Sequence, residues 1–209
     1  RGSLSGCSRT DTGVHANQYF CTLRTKHPMD CYRLMGALNA MLPKDIGVIA
    51  CKEVPEGFHP RYSAVGKEYQ YLIDNGSGKN PFLRDRALPY HRKIDAAFLN
   101  RQAQDFVGTH DFTSFCANRV PVNENIRTVR KASVIREGNL VIFTVEADGF
   151  LYHMVRIMVG TLLWINEGKR EEDSIPSILA AADRAAAGLT APACGLYLNR
   201  VFYREGETE

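Results

Sequence analysis

Several things are missing from this sequence. Its six cysteines, at positions 7, 21, 31, 51, 116 and 194, form no Cys-x-x-Cys pair and stand at no zinc-finger spacing from a histidine. That pattern leaves reduced, mostly core thiols and no sequence-level metal site. No charged-then-apolar leader opens the chain, and its most apolar run, residues 157–165, is too short to cross a bilayer. The expectation is a soluble, cytoplasmic protein with no membrane partner. An excess of either charge is also lacking: 26 Lys and Arg against 23 Asp and Glu give a net +3. That sum does not by itself identify a nucleic-acid partner, although it is compatible with a local basic face. Neither an internal repeat nor a low-complexity tract is visible. The opening Arg1-Gly2-Ser3-Leu4 reads as a cloning scar or as the middle of a longer chain.

What remains is a chain of 209 residues, 44% hydrophobic and 23% charged, able to bury the core of one large domain or two small ones. Residues 14–23 mix β-formers and read as a strand. Asp30 is an N-cap for a helix over residues 31–41, with Leu34, Leu38 and Met41 on one face and Pro43 just beyond. Residues 46–54 read as a strand, and residues 67–73 alternate cleanly, which places Tyr69 and Tyr71 on one face. Residues 74–93, rich in Gly, Pro, Asn and basic side chains, form a long loop that marks a boundary between residues 1–88 and 89–209. Asp95 caps a helix that runs to about residue 107 and stops at Gly108, and a polar loop follows over 109–126. Strands over 128–136 and 140–147 flank a turn at Glu137-Gly138-Asn139. An almost uniformly apolar helix from 153 to 166 is expected against a sheet, then a helix over 175–187 and a closing strand over 197–203. The alternation favours an α/β sandwich with helices on one face of a mainly antiparallel sheet.

The stretch with the most chemical promise is Ser8-Arg9-Thr10-Asp11-Thr12-Gly13-Val14-His15-Ala16. Gly13 permits a positive φ, and the threonines bond local backbone, so Asp11 can point outward from its turn. An ordinary Asp-Gly turn has the same composition. Asp11-Thr12-Gly13 is also the tripeptide of aspartic proteases, but those need two such carboxylates sharing a proton. No second copy is present, so that reading requires a homodimer, and it stays remote.

Arg156 is the second informative residue, because it interrupts an apolar helix between Val155 and Ile157. A buried guanidinium requires a carboxylate, the desolvation of a lone ion costing several kcal/mol. Asp148 is the structural candidate and Asp11 the functional one. An arginine on Asp11 would aim it as a nucleophile. Gly160, one turn beyond, lets another segment approach that face closely. Aromatic strand residues such as Tyr69 and Tyr71 are usually core, yet one near Arg9, Arg61 and Lys67 could stack on a nucleobase. Dispersed basic side chains, among them Arg24, Arg92, Arg119, Arg127 and Lys131, could follow a phosphate backbone. From the residues alone, the reading stops at a one-carboxylate enzyme or a nucleic-acid-binding α/β domain.

At this point a family pattern becomes recognisable. SRTDTGVHA resembles the catalytic motif Gly-Arg-Thr-Asp-x-Gly-Val-His-Ala of the TruA-type tRNA pseudouridine synthases. FHPRYSAVGKEYQYLI, GTHDFTSFC, GFLYHMVRIMVGTL and the closing GLYL are similar to its later segments, in the same order along nearly the whole chain. Cys7-Ser8 replaces the commoner Ala-Gly before Arg9. The resemblance implies an α+β fold of two ferredoxin-like halves with a joined sheet and an RNA-binding cleft, usually in a homodimer. It implies Asp11 as nucleophile, Tyr69 stacked on the uracil with a part in proton transfer, and Arg156 paired with Asp11. Arg9 and Leu196 would bind substrate, Arg9 by holding the target nucleotide out of the helix and Leu196 as an apolar wall. The implied reaction is isomerisation of uridine to pseudouridine in the anticodon stem-loop of tRNA, with no cofactor and no metal. The family's opening strand and basic helix precede the first motif and have no counterpart in this sequence, so the chain is expected to be a fragment. A tRNA-binding module without turnover is the alternative.

Overall fold

The computed structural model describes residues 4–118 and 124–204, so Arg119 and the acidic Glu205, Glu207 and Glu209 lie outside the described residues. The chain divides into two compact units. The first comprises residues 1–9, 20–65 and 202–209, and the second residues 10–19 and 66–201.

In the first unit, β1 (Leu4–Gly6) pairs antiparallel with β3 (Cys21–Leu23), while β2 (His15–Ala16) belongs to the second unit. The single strand expected over residues 14–23 is therefore two short ones in separate sheets. Asn17 and Gln18 interrupt it: the backbone N–H of Asn17 donates to the Leu198 carbonyl, and the Gln18 side-chain oxygen accepts from Val201 N–H. Helix α1 (Cys31–Met41) begins where the sequence places it, the Asp30 carboxylate accepting from Arg33 N–H at 2.8 Å. No strand forms over residues 46–54. The Asn39 side chain instead bonds both the N–H (2.7 Å) and the carbonyl (2.9 Å) of Val48, taking the groups that a neighbouring strand would use. Tyr203 closes the unit, its ring against Phe20 and Phe58 and its hydroxyl donating to the Pro60 carbonyl.

The second unit is built on a seven-stranded sheet. Its members are β2, β4 (Gly66–Asp74), β5 (Leu88–Pro89), β6 (Gly108–Asp111), β7 (Ile126–Glu137), β8 (Leu140–Ala147) and β9 (Leu196–Phe202). The order is β2-β9-β4-β8-β7-β6, with β5 beside the end of β4. Pairings β4–β8, β7–β8 and β6–β7 are antiparallel, and the two-residue contacts of β2 with β9 and β5 with β4 are parallel. The fold is thus α+β with a mainly antiparallel sheet. Glu137 opposes Leu140, so the hairpin turns on Gly138 and Asn139, with Gly138 at φ +58°. Strand β6 lies inside the segment expected to be loop. It is polar, held to β7 partly by a Thr109–Thr128 hydroxyl bond, and apolar patterning does not reveal it. Residues 74–93 lie within this unit.

Helices α2 (Ala96–Ala103) and α3 (Met154–Asn166) cover one sheet face. Leu99 of α2 and Val159, Leu162 and Leu163 of α3 meet Ile73, Val134, Val141 and Phe143 there. Each such side chain, fully buried, contributes about 1.5–3 kcal/mol. Asp95 caps α2 through Phe98 N–H, and the helix tightens into a 3-10 turn before Gly108. The opposite face carries polar pairs, with the Asn199 amide donating to Glu68 at 2.6 Å and Gln70 to Thr144. Helix α4 (Ile175–Ala181) is shorter than expected. Ala182 turns left-handed at φ +46° and Asp183 starts a separate 3-10 turn, so the run over 175–187 is broken in its middle.

Candidate active site

Asp11 sits at the first position of a turn in which its carbonyl accepts from Val14 N–H at 3.1 Å, with Gly13 at φ +85° in the third position. A positive φ there is the requirement of a type II turn, which glycine meets without strain. Beyond the turn, β2 fixes the exit: His15 opposes Tyr197 of β9, their rings stacked at 4.7 Å. The His15 ring nitrogen also lies 2.8 Å from the Asp85 carbonyl. Asp11 is thereby fixed to the start of β9, where Leu196 is buried at the first strand position.

Arg156 reaches the carboxylate from the first turn of α3. Its Nη1 donates to Asp11 Oδ2 at 2.8 Å, with the Arg156 side chain 14% exposed and that of Asp11 29% exposed. A second bond runs from Arg156 Nε to the Ala191 carbonyl at 2.7 Å, and the Ala191 N–H donates back to the Arg156 carbonyl at 3.0 Å. The guanidinium is thus clamped before any ligand arrives. Its carboxylate is Asp11, whereas Asp148 accepts from Thr128 N–H at 3.1 Å. Residues 188–191 run against α3 through two glycines. A methyl group on Gly160 would overlap the Leu189 carbonyl, and one on Gly188 would fall 2.5 Å from Thr161 N.

His153 was not among the residues singled out from sequence. Its Nε2 lies 3.0 Å from Asp11 Oδ2, the oxygen that Arg156 also holds. Burial pushes the imidazole below its ordinary range, a trend that Asp11 opposes and Arg156 and Arg184 reinforce. A signal was available: in the run HMVR, a histidine stands three residues before the arginine that the helix buries.

Tyr69 lies on β4, which neighbours β9, and is buried with its ring edge-on to Phe150 at 4.9 Å. Tyr71 is core, its hydroxyl donating to the Pro192 carbonyl at 2.7 Å, and burial raises its pKa further above its already high ordinary value. Gly195 makes this packing feasible, since a Cβ there would stand 2.6 Å from the Tyr71 ring. Asp11, Tyr69, Arg156 and Leu196 all belong to the second unit, and Arg9 is an exposed residue of the first. Among the described residues no group of three His, Cys, Asp or Glu side chains is arranged to hold a metal ion. No helix there is long and apolar enough to cross a membrane.

A partly buried carboxylate with two nitrogen donors on one oxygen can act as a nucleophile or as a base whose direction of approach is fixed. Residues 102–204 match the model of a family described as tRNA pseudouridine synthase. The chain is similar to tRNA pseudouridine synthase A of Halalkalibacterium halodurans, at 41% identity over 206 residues, covering 99% of this chain and 78% of that protein. Its similarity to the Acetivibrio thermocellus protein of the same name is 44% over 200 residues, covering 96% and 82%. With that of Clostridium kluyveri it is 40% over 198 residues, covering 95% and 81%.

Proposed function

The chain belongs to the tRNA pseudouridine synthase A family, and on that premise we propose that it isomerises uridine to pseudouridine in tRNA, with Asp11 as the reacting carboxylate. The observation that carries the assignment of Asp11 is its ion pair with Arg156, 2.8 Å long and drawn from residues far apart in sequence.

The reaction breaks the bond from uracil N1 to ribose C1′ and makes one from uracil C5 to C1′. The hydrogen on C5 leaves as a proton and N1 gains one, so substrate and product are isomers and no oxidant or reductant is consumed. The target base must first leave its stack, at a cost of a few kcal/mol. Asp11 then acts either by adding to the uracil ring or by reacting at the ribose as the glycosidic bond loosens. Arg156 holds the carboxylate's orientation through either route. Tyr69 is assigned to stack on the uracil and take part in proton transfer, Leu196 to wall the base pocket, and Arg9 to hold the nucleotide outside the helix. The substrate site is the anticodon stem-loop, and the working form is a cytoplasmic homodimer. Support for these finer assignments is the match of the motifs bearing Arg9, Asp11, Tyr69, Arg156 and Leu196 to the family pattern.

The test is tritium release from tRNA labelled at uracil C5. Release by the chain, with none by Asp11→Ala that folds and binds tRNA equally, is the expected result. Retained tRNA binding with no release by either would make this chain a binding module.

A further inference from the structure

The two donors to Asp11 converge on one oxygen. Arg156 Nη1 lies 2.8 Å and His153 Nε2 3.0 Å from Oδ2, and Oδ1 has no hydrogen-bond partner among the described residues. A carboxylate accepts and does not donate, so the proton of this contact belongs to His153 Nε2.

The backbone at His153 is built for that contact. His153 occupies the N-cap position of α3, where a side chain ordinarily turns back to accept a helix N–H. Here φ is +61° and ψ +6°, a left-handed conformation unusual for a residue with a side chain, and no cap bond is made. The imidazole points instead at Asp11, and the Tyr152 ring, stacked on it at 3.8 Å and 26°, fixes its plane. The charged groups facing it are Asp11 from the turn, Arg156 from α3 and Arg184 from the 3-10 turn after α4. Two cations and burial disfavour a third positive charge, so the ring sits neutral near pH 7.

We propose that His153 is a positioning residue of the reaction: as a neutral donor it shares Oδ2 with Arg156, fixes the plane of the Asp11 carboxylate and leaves Oδ1 as the oxygen that reacts. The inference rests on the uridine-isomerising reading of the site. Neutrality is part of the role. An imidazolium would draw more charge from the carboxylate than a neutral ring does, so activity falls as pH drops through the His153 pKa, which lies below the ordinary 6.5.

The experiment compares the chain with His153→Ala and His153→Gln by tritium release across pH. Nitrogen-15 NMR of the His153 ring, in the chain and in Asp11→Asn, accompanies it. In His153→Ala, kcat falls by about a hundredfold at nearly unchanged KM. His153→Gln supplies an uncharged amide donor, recovers most of that loss and lacks the acid limb due to histidine. In Asp11→Asn the carboxylate that favours the imidazolium is gone, so His153 titrates at still lower pH. A kcat for His153→Ala within about twofold of the parent, or a glutamine variant no better than alanine, overturns the proposal. So does a His153 titration that Asp11→Asn leaves unmoved. A parent chain that releases no tritium defeats the functional reading instead, and the NMR comparison still decides whether His153 is tied to Asp11.

Discussion

Arg156 is held at three points: Nη1 on Asp11, Nε on the Ala191 carbonyl, and its own carbonyl on the Ala191 N–H. Lysine keeps the charge but has one nitrogen where arginine has a fork, and cannot serve both acceptors. Arg156→Lys is therefore expected to leave the Ala191 carbonyl without its side-chain donor, losing about 1–3 kcal/mol of stability in a urea titration. Its kcat should fall by at least about tenfold, because the carboxylate loses a directional partner. If stability falls and kcat does not, Arg156 is a clamp for the segment at Ala191 and has no share in the chemistry. The need for a partner was legible in the sequence, since a guanidinium inside an apolar helix demands one. Which carboxylate supplied it was legible only through the family resemblance, because Asp148 is nearer in sequence and Asp11 nearer in space. His153 escaped notice for a local reason: it stood as the first residue of the apolar helix expected from 153, and only the left-handed backbone there turns its ring towards Asp11.

At the scale of elements, α3 connects the core to the site. One side of it packs on the sheet through Val159, Leu162 and Leu163, and its glycine face lies against residues 188–191. Those residues hold Arg156, so the spacing between two backbones controls the carboxylate at a distance. Gly160→Ala places a methyl group on the Leu189 carbonyl, which is backbone and cannot swing away. A loss of about 1–3 kcal/mol is expected in thermal or urea unfolding, from overpacking. Activity should fall further than the unfolded fraction explains, as the Ala191 clamp shifts. Equal activity per folded molecule would show that the strap moves without disturbing Arg156. Sequence periodicity and caps revealed α1, α2 and α3, since Asp30 and Asp95 make the cap bonds expected of them. Elements set by tertiary partners were not legible. Within residues 46–54, Val48 gives both its backbone groups to the Asn39 side chain, and β6 is a polar edge strand defined by β7.

The two units bury very different amounts of their apolar surface. In the second, Tyr71, Phe106, Phe115, Phe143, Met158 and Leu198 are fully buried. In the first, α1 buries none of its residues, while Tyr32, Met41 and Ile49 are 80%, 85% and 83% exposed. The sequence marked Leu34, Leu38 and Met41 as one apolar face, and periodicity states only which side chains align, not what meets them. Helices of this length owe most of their stability to tertiary packing, and α1 has little of it. Native-state hydrogen exchange should therefore divide the chain. Amides of α1 are expected to exchange through openings far less costly than global unfolding, while those of β4, β7, β8 and α3 set the slowest class. The same experiment repeated over a range of protein concentrations separates two origins for any other result. Protection of α1 that matches the sheet and rises with concentration would mean that a second copy covers this face. Matching protection independent of concentration would mean that α1 is stable on its own contacts and that the two units do not differ in local stability.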